Sequence, residues 1–258
     1  DRKDEAIAAW QSSAELNSSY GMVFRNLGHS ADKYLKDKAL AADYYAMAIK
    51  ADSSDPIFFQ ELEDVEAALK VSSEKRLARM EKYRKTIEKS DDATSRYVRL
   101  LLDNGKYRKA LDILETRHFR VWEGGSTVYT QFVDANLLYG LSQLSKHRNR
   151  KALESFLAAG TFPRNLETNE LSTGPLVAKV AYHQGLAYKA LGESDKAREA
   201  FEKCIKTAGT SRREYIDERY FFVAMSQKEL GQNTEAQATA KKIQDYVDKQ
   251  KEATTTVV

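Results

Sequence analysis

Four histidines are the residues in this chain best suited to acid–base or metal chemistry, and their spacing argues against both. His29, His118, His147 and His183 stand far apart, and no HExxH pair is present, so no helix face offers two imidazoles to one ion. Cys204 is the only cysteine, which rules out an internal disulfide and a cysteine-based zinc site. Gly124 and Gly125 lack the following Lys and Ser/Thr of a phosphate-binding loop. No serine sits in a GxSxG elbow. The expectation is a non-enzymatic segment with no cofactor and no metal.

The densest basic run, "KHRNRK" from Lys146 to Lys151, could contact phosphates or an acidic partner. It falls at a turn between helices, where a solvated charged loop is the expected reading. Lys plus Arg is 41 against 38 Asp plus Glu, a net charge of +3, which makes no general case for nucleic acid or a membrane surface. No apolar run approaches the roughly 18 residues needed to span a bilayer. At 258 residues with 3 prolines and 12 glycines, the chain should form long regular helices, as two domains or one elongated repeat array.

Self-similarity favours the array. In "AYHQGLAYKALGESDKAREAFEKCIKTAG", Gly185, Ala187, Tyr188, Gly192, Ala197, Phe201 and Cys204 alternate small and aromatic side chains as a tetratricopeptide repeat does, a pattern with a period of about 34 residues. Small residues let two antiparallel helices approach, and the aromatics fill the space around them. Weaker copies are anchored at Ala6, Ala41, Leu77, Ala110, Ala152 and Ala236 beside Ala197. Four residues after each anchor stand Trp10, Tyr45, Glu81, Leu114, Phe156, Phe201 and Ala240. Turn glycines are expected at Gly105, Gly192 and Gly231. The predicted fold is all-α: a right-handed superhelical solenoid over residues 1–247, one leading helix plus about six hairpins, followed by a flexible tail over 248–258.

Successive anchors lie 35, 36, 33, 42, 45 and 39 residues apart. The excess coincides with "HFRVWEGGST" and with "TFPRNLETNELSTGP". Both follow a second helix and precede the next first helix, so they should be neighbours along one edge, where insertions often bind. Candidate contact residues there are Phe119, Val121, Trp122, Glu123, Phe162, Arg164 and Asn165. Trp122 has two readings, a core plug or a docking platform. Tyr182 and His183 are candidate groove residues on a first helix.

"RNLG" at 25–28, "DSSDP" at 52–56, "RHFRVWEGG" and "TFPRNL" together resemble the helical-repeat region of bacterial, Bacteroidetes-type proteins that carry an upstream mutarotase-like β-sandwich domain. The resemblance covers most of residues 1–247 and is poorest near 57–90, where Glu81 holds the aromatic place. It implies a piece of a larger protein in the bacterial cytoplasm or periplasm, preceded by further sequence. It also implies a protein partner or its own upstream domain as the contact, with carbohydrate as an alternative through that domain. Tetratricopeptide domains that grip a C-terminal carboxylate place Lys and Asn where this chain has Arg25 and His29, Tyr182 and Leu186, and Phe221 and Met225. That removes a carboxylate clamp and leaves other groove chemistry.

Overall fold

The computed structural model describes residues 2–17, 19–120, 127–167, 174–210 and 216–255. Among them there are helices and no strand. Two compact units divide the chain, residues 1–110 and 111–258, the division falling within one helix.

The first unit opens with α1 (Arg2–Leu16), which buries none of its residues and packs on α2 (Gly21–Ser30). The hairpin of α2 with α3 (Lys38–Ala51) follows, then α4 (Pro56–Ala68) with α5 (Ser73–Lys82), a short α6 (Arg84–Ile87), α7 (Asp91–Asp103) and the start of α8 (Tyr107–Thr116). Capping fixes these starts. The side chains of Asp37, Asp55, Ser72 and Ser90 accept from the backbone N–H groups of Leu40, Ile57, Lys75 and Ala93, satisfying donors that a helix cannot pair internally. Pro56, in the first turn of α4, has no N–H to leave unpaired. The core is built from Phe58, Phe59 and Leu62 of α4, Leu77 and Met80 of α5, and Tyr97, Val98 and Leu101 of α7.

The second unit holds the remainder of α8, then α9 (Thr127–Leu144) with α10 (Asn149–Ala158), α11 (Pro175–Ala190) with α12 (Ser194–Lys206), and α13 (Arg219–Glu229) with α14 (Asn233–Thr255). Around α11 and α12, Ala178, Ala181, Tyr182, Ala197, Phe201, Cys204 and Val223 form one buried cluster. Burial pushes the Cys204 thiol up to about 11. The native protein is therefore expected to react with a thiol-specific reagent only as fast as it opens. Comparing labelling rates with and without denaturant checks this.

One geometric device repeats. The second-helix aromatic lies over a first-helix glycine: Tyr45 over Gly28, Phe156 over Gly140 and Phe201 over Gly185. A Cβ placed at these glycines would come within 2.8 Å of Tyr45 Cδ1, 2.6 Å of Phe156 Cδ1 and 2.6 Å of Phe201 Cδ1. Each hairpin also turns on a residue with positive φ: Lys36 (58°), Lys70 (59°), Gly105 (69°), His147 (55°), Gly192 (77°) and Gly231 (75°). Five of these stand five residues before their anchor, and Lys70 stands seven before Leu77. From Gly140 to His147 and from Gly185 to Gly192 the interval is seven residues; from Gly28 to Lys36 it is eight. The extra residue is absorbed by a π-helical turn over Ala31–Leu35.

Glycine serves this turn best because a Cβ costs about 1–2 kcal/mol in the left-handed region. His147→Gly is therefore expected to stabilise the protein by up to about 1 kcal/mol, after the entropy that glycine loses on folding. Urea denaturation measures it.

One expectation is corrected here. Residues 74–89, whose charges alternate at i, i+4 spacing, as Glu81 with Lys85, and so read from sequence as one exposed helix, do not form one. The helix breaks at Tyr83, Glu81 pairs with Lys106 and Lys109, and Leu77, Met80 and Ile87 are buried. Separately, α14 runs to Thr255, into the stretch from 248 expected as a flexible tail. Side-chain contacts one turn apart, Lys241 with Asp245 and Gln244 with Asp248, support a helix with little left to bury.

Candidate interaction surfaces

The two inserted segments meet in the second unit. Asn165 Nδ2 donates to the carbonyls of Leu114 and Arg117, each at 2.8 Å, and the Phe119 N–H donates back to the Asn165 carbonyl at 2.8 Å. Phe119 is fully buried, with the Arg117 guanidinium 5.4 Å from its ring centroid. His118 Nε2 lies 2.7 Å from Glu167 Oε1 at the surface. A short 3-10 turn, Arg164–Leu166, buries Leu166 and leaves Arg164 exposed. Phe162 stacks on Tyr129 with centroids 5.4 Å apart.

Within this edge, Phe119 is therefore a plug and Asn165 a clasp. Arg164 and the half-buried Phe162 are the members a partner could reach. Val121, Trp122 and Glu123 lie outside the described residues. Asn165→Ala would leave two carbonyls without their donor, and a loss of about 1–3 kcal/mol is expected, read as a lowered urea midpoint.

Tyr182 and His183 occupy the interior rather than an open groove, a correction to their candidate role. Both are buried, and the His183 ring lies between Phe156, Tyr182 and Phe222 at centroid distances of 5.4–5.8 Å. His183 Nδ1 meets the Lys179 carbonyl at 2.7 Å. Burial holds the imidazole below its usual pKa, so its native form is neutral. With the other histidines placed elsewhere, no group of three metal-ligating side chains occurs among the described residues.

Other apolar residues share a register on the second unit's first helices, Leu186 and Met225 resting against the core around Tyr182 and Phe201. Leu141, Leu186 and Met225 each follow, by one position, Gly140, Gly185 and Ala224, and so share one register on α9, α11 and α13. Leu141 is 37% exposed, Leu186 and Met225 are half-buried, and Phe221, one turn before Met225, is 55% exposed. Ion pairs link the same helices: Lys179 with Asp134 at 2.6 Å and Lys189 with Glu229 at 2.6 Å. In the first unit the corresponding helices are tied by Arg25 with Glu61 and Arg96 with Asp64, and Arg25 itself is engaged.

A fixed register of glycine under aromatic, left-handed turn and apolar first-helix position is the mark of helical-hairpin repeats. Residues 178–210 match the tetratricopeptide repeat family. The fold is an all-α solenoid of tetratricopeptide-like hairpins. Two solved structures are similar in fold. One, described as YrrB, a TPR protein with an unusual peptide-binding site, is 15% identical over 85% of this chain and 98% of that chain, with a TM-score of 0.53. The other, MamA protein, is 15% identical over 78% of this chain and 100% of that chain, with a TM-score of 0.54. At such identities the tetratricopeptide-like likeness is one of fold alone.

One buried charged cluster has no counterpart among the residues singled out from the sequence. On the first unit's α4, Glu63 and Glu66 are buried and pair with Arg76 and Arg79 of α5. Glu63 Oε2 and Arg79 Nε find no partner among the described residues. The i, i+3 spacing of both pairs was the available signal, since it places two acids and two arginines on facing helix sides. "KHRNRK" behaves as expected of a solvated turn: Lys146, His147, Arg148, Arg150 and Lys151 are exposed.

Proposed function

We propose that this chain is a non-catalytic helical-repeat scaffold whose first-helix face in the second unit holds an apolar segment of a partner protein or of another domain of its own protein. The observation that carries the reading is the row Leu141, Leu186, Met225 with Phe221, apolar and partly exposed where a carboxylate clamp would need Lys and Asn. Stacked helices offer such grooves as recognition surfaces, and YrrB, similar in fold, is described as having an unusual peptide-binding site. Ion pairs join α11 to its neighbours beside this row, Lys179 to Asp134 of α9 and Lys189 to Glu229 of α13. Among the described residues no helix is long and apolar enough to cross a membrane.

Phe162 and Arg164 on the loop edge extend the reading as a second contact. The test is panning of a displayed random-peptide library on the full chain, run beside a glycan array. The scaffold reading expects enriched peptides with spaced apolar residues and a blank array. Glycan binding without peptide enrichment would favour the carbohydrate alternative and contradict it.

A further inference from the structure

In the first unit, the second helices α3 and α5 flank an open groove of about 580 Å³. Its floor is apolar: Ala46 and Ile49 from α3, Leu62 from α4, and Ala78 and Tyr83 beside the break after α5. Its rim is cationic, with Lys50 on the α3 side and Arg79 and Lys82 on the α5 side, and no acidic residue lines it. Arg79 is engaged by Glu66. Lys50 and Lys82 carry no ion pair among the described residues, and the Lys82 ammonium stands 5.0 Å from the Tyr83 ring centroid.

The groove lies where the third hairpin departs from the repeat. At the place where Tyr45, Phe156 and Phe201 bury an aromatic, α5 has Glu81, which turns to Lys106 and Lys109. The aromatic is supplied two residues later by Tyr83, packed on Phe59 at 5.1 Å between centroids.

We infer that this groove seats an acidic amphipathic helix of a protein partner. Small exposed residues, Ala46 and Ala78, let a third helix approach the two flanking ones closely. The apolar floor would take its buried stripe, and the unpaired lysines would meet its carboxylates. Small ligands bind where most of their surface is enclosed; an open trough between two helices encloses too little of one. This surface is separate from the first-helix face of the other unit, so the two readings stand or fall independently.

The test is fluorescence anisotropy with the full chain and a labelled, stapled helix of about 14 residues, ~21 Å long, with leucines on one face and glutamates on its flanks. Binding is expected, weakening with added salt and falling about tenfold or more in Lys50→Glu/Lys82→Glu. It should also be lost in Ala46→Trp, which fills the groove. All three positions are exposed, so melting temperatures should not change, and Leu141→Asp/Phe221→Asp should bind the helix normally. Equal binding of a lysine-flanked helix, or unchanged affinity in the charge-reversed variant, would overturn the inference. So would binding of dodecanoate or a single-stranded oligonucleotide in place of the helix.

Discussion

Phe156→Ala is expected to destabilise the second unit by about 3–5 kcal/mol, the range for removing a fully buried phenylalanine. The ring is wholly buried and sits directly over Gly140, so truncation opens a cavity at the point of closest approach between α9 and α10. The reciprocal change, Gly140→Leu, forces side-chain atoms into the same ring and should cost about 1–3 kcal/mol through overpacking. Combining the two gives a sharper reading. A leucine at 140 can enter the space that Phe156 leaves, so the double variant should be more stable than the sum of the single losses requires. Urea denaturation with hydrogen exchange on the α9–α10 amides measures all three. Losses below 1 kcal/mol, or strict additivity, would mean that this interlock does not hold the hairpin.

Arg76→Ala should have a comparable effect in the first unit, and one that depends on pH. Breaking a buried pair by removing one member costs about 3–5 kcal/mol because the remaining charge is left without compensation. Burial pushes the Glu63 carboxyl up to about 7, outweighing the nearby guanidiniums of Arg76 and Arg79. The sign follows from linkage. In the unfolded chain Glu63 loses its proton near its ordinary value, whereas the folded protein keeps it to about pH 7. The folded state thus binds more protons between those limits, and stability from this group falls as pH rises through that window, by up to roughly 3 kcal/mol.

Glu63→Gln should remove that slope. Arg76→Ala should cost more at pH 8, where the carboxyl is ionised, than at pH 5, where it is protonated. Replacing both residues with leucine should recover much of the loss. Neutral His183, in the other unit, acts in the opposite sense: its stabilisation is present above its ordinary pKa and is lost as pH falls below it. The difference between wild type and Glu63→Gln isolates the carboxyl.

The repeat was legible wherever one side chain had one job. Gly185 with Phe201 and the turn glycines declare close packing and a left-handed backbone, and both appear where the pattern places them. Three of the six turns use Lys36, Lys70 and His147 instead, and no residue type announces a positive φ there. The π-helical turn at Ala31–Leu35 shifts a register by one residue, which a fixed-period scan reads only as a weaker copy.

"EKRLARMEKYRKTIEK" reads as a solvated charged helix because periodicity cannot distinguish arginines facing water from arginines facing buried glutamates on another helix. Tyr182 was placed correctly on a first helix, but burial there depends on Phe201 and Phe222, which reach it from other elements. The meeting of "RHF" with "PRNLE" was inferable from where insertions emerge, whereas the clasp made by Asn165 depends on side-chain geometry that spacing does not encode.

The second unit's first-helix face is proposed to bind a protein segment through apolar contacts. Isothermal titration of the peptide most enriched by panning, against wild type and Leu141→Asp/Phe221→Asp, tests it most directly. Leu141 is 37% and Phe221 55% exposed, with Phe221 edge-on to Phe222 at 5.3 Å, so the titration is run at a temperature where urea curves show both proteins fully folded. One-to-one binding to wild type is expected, with an affinity at least about tenfold weaker in the variant, or ~1.4 kcal/mol. Equal affinity for the two folded proteins would contradict it.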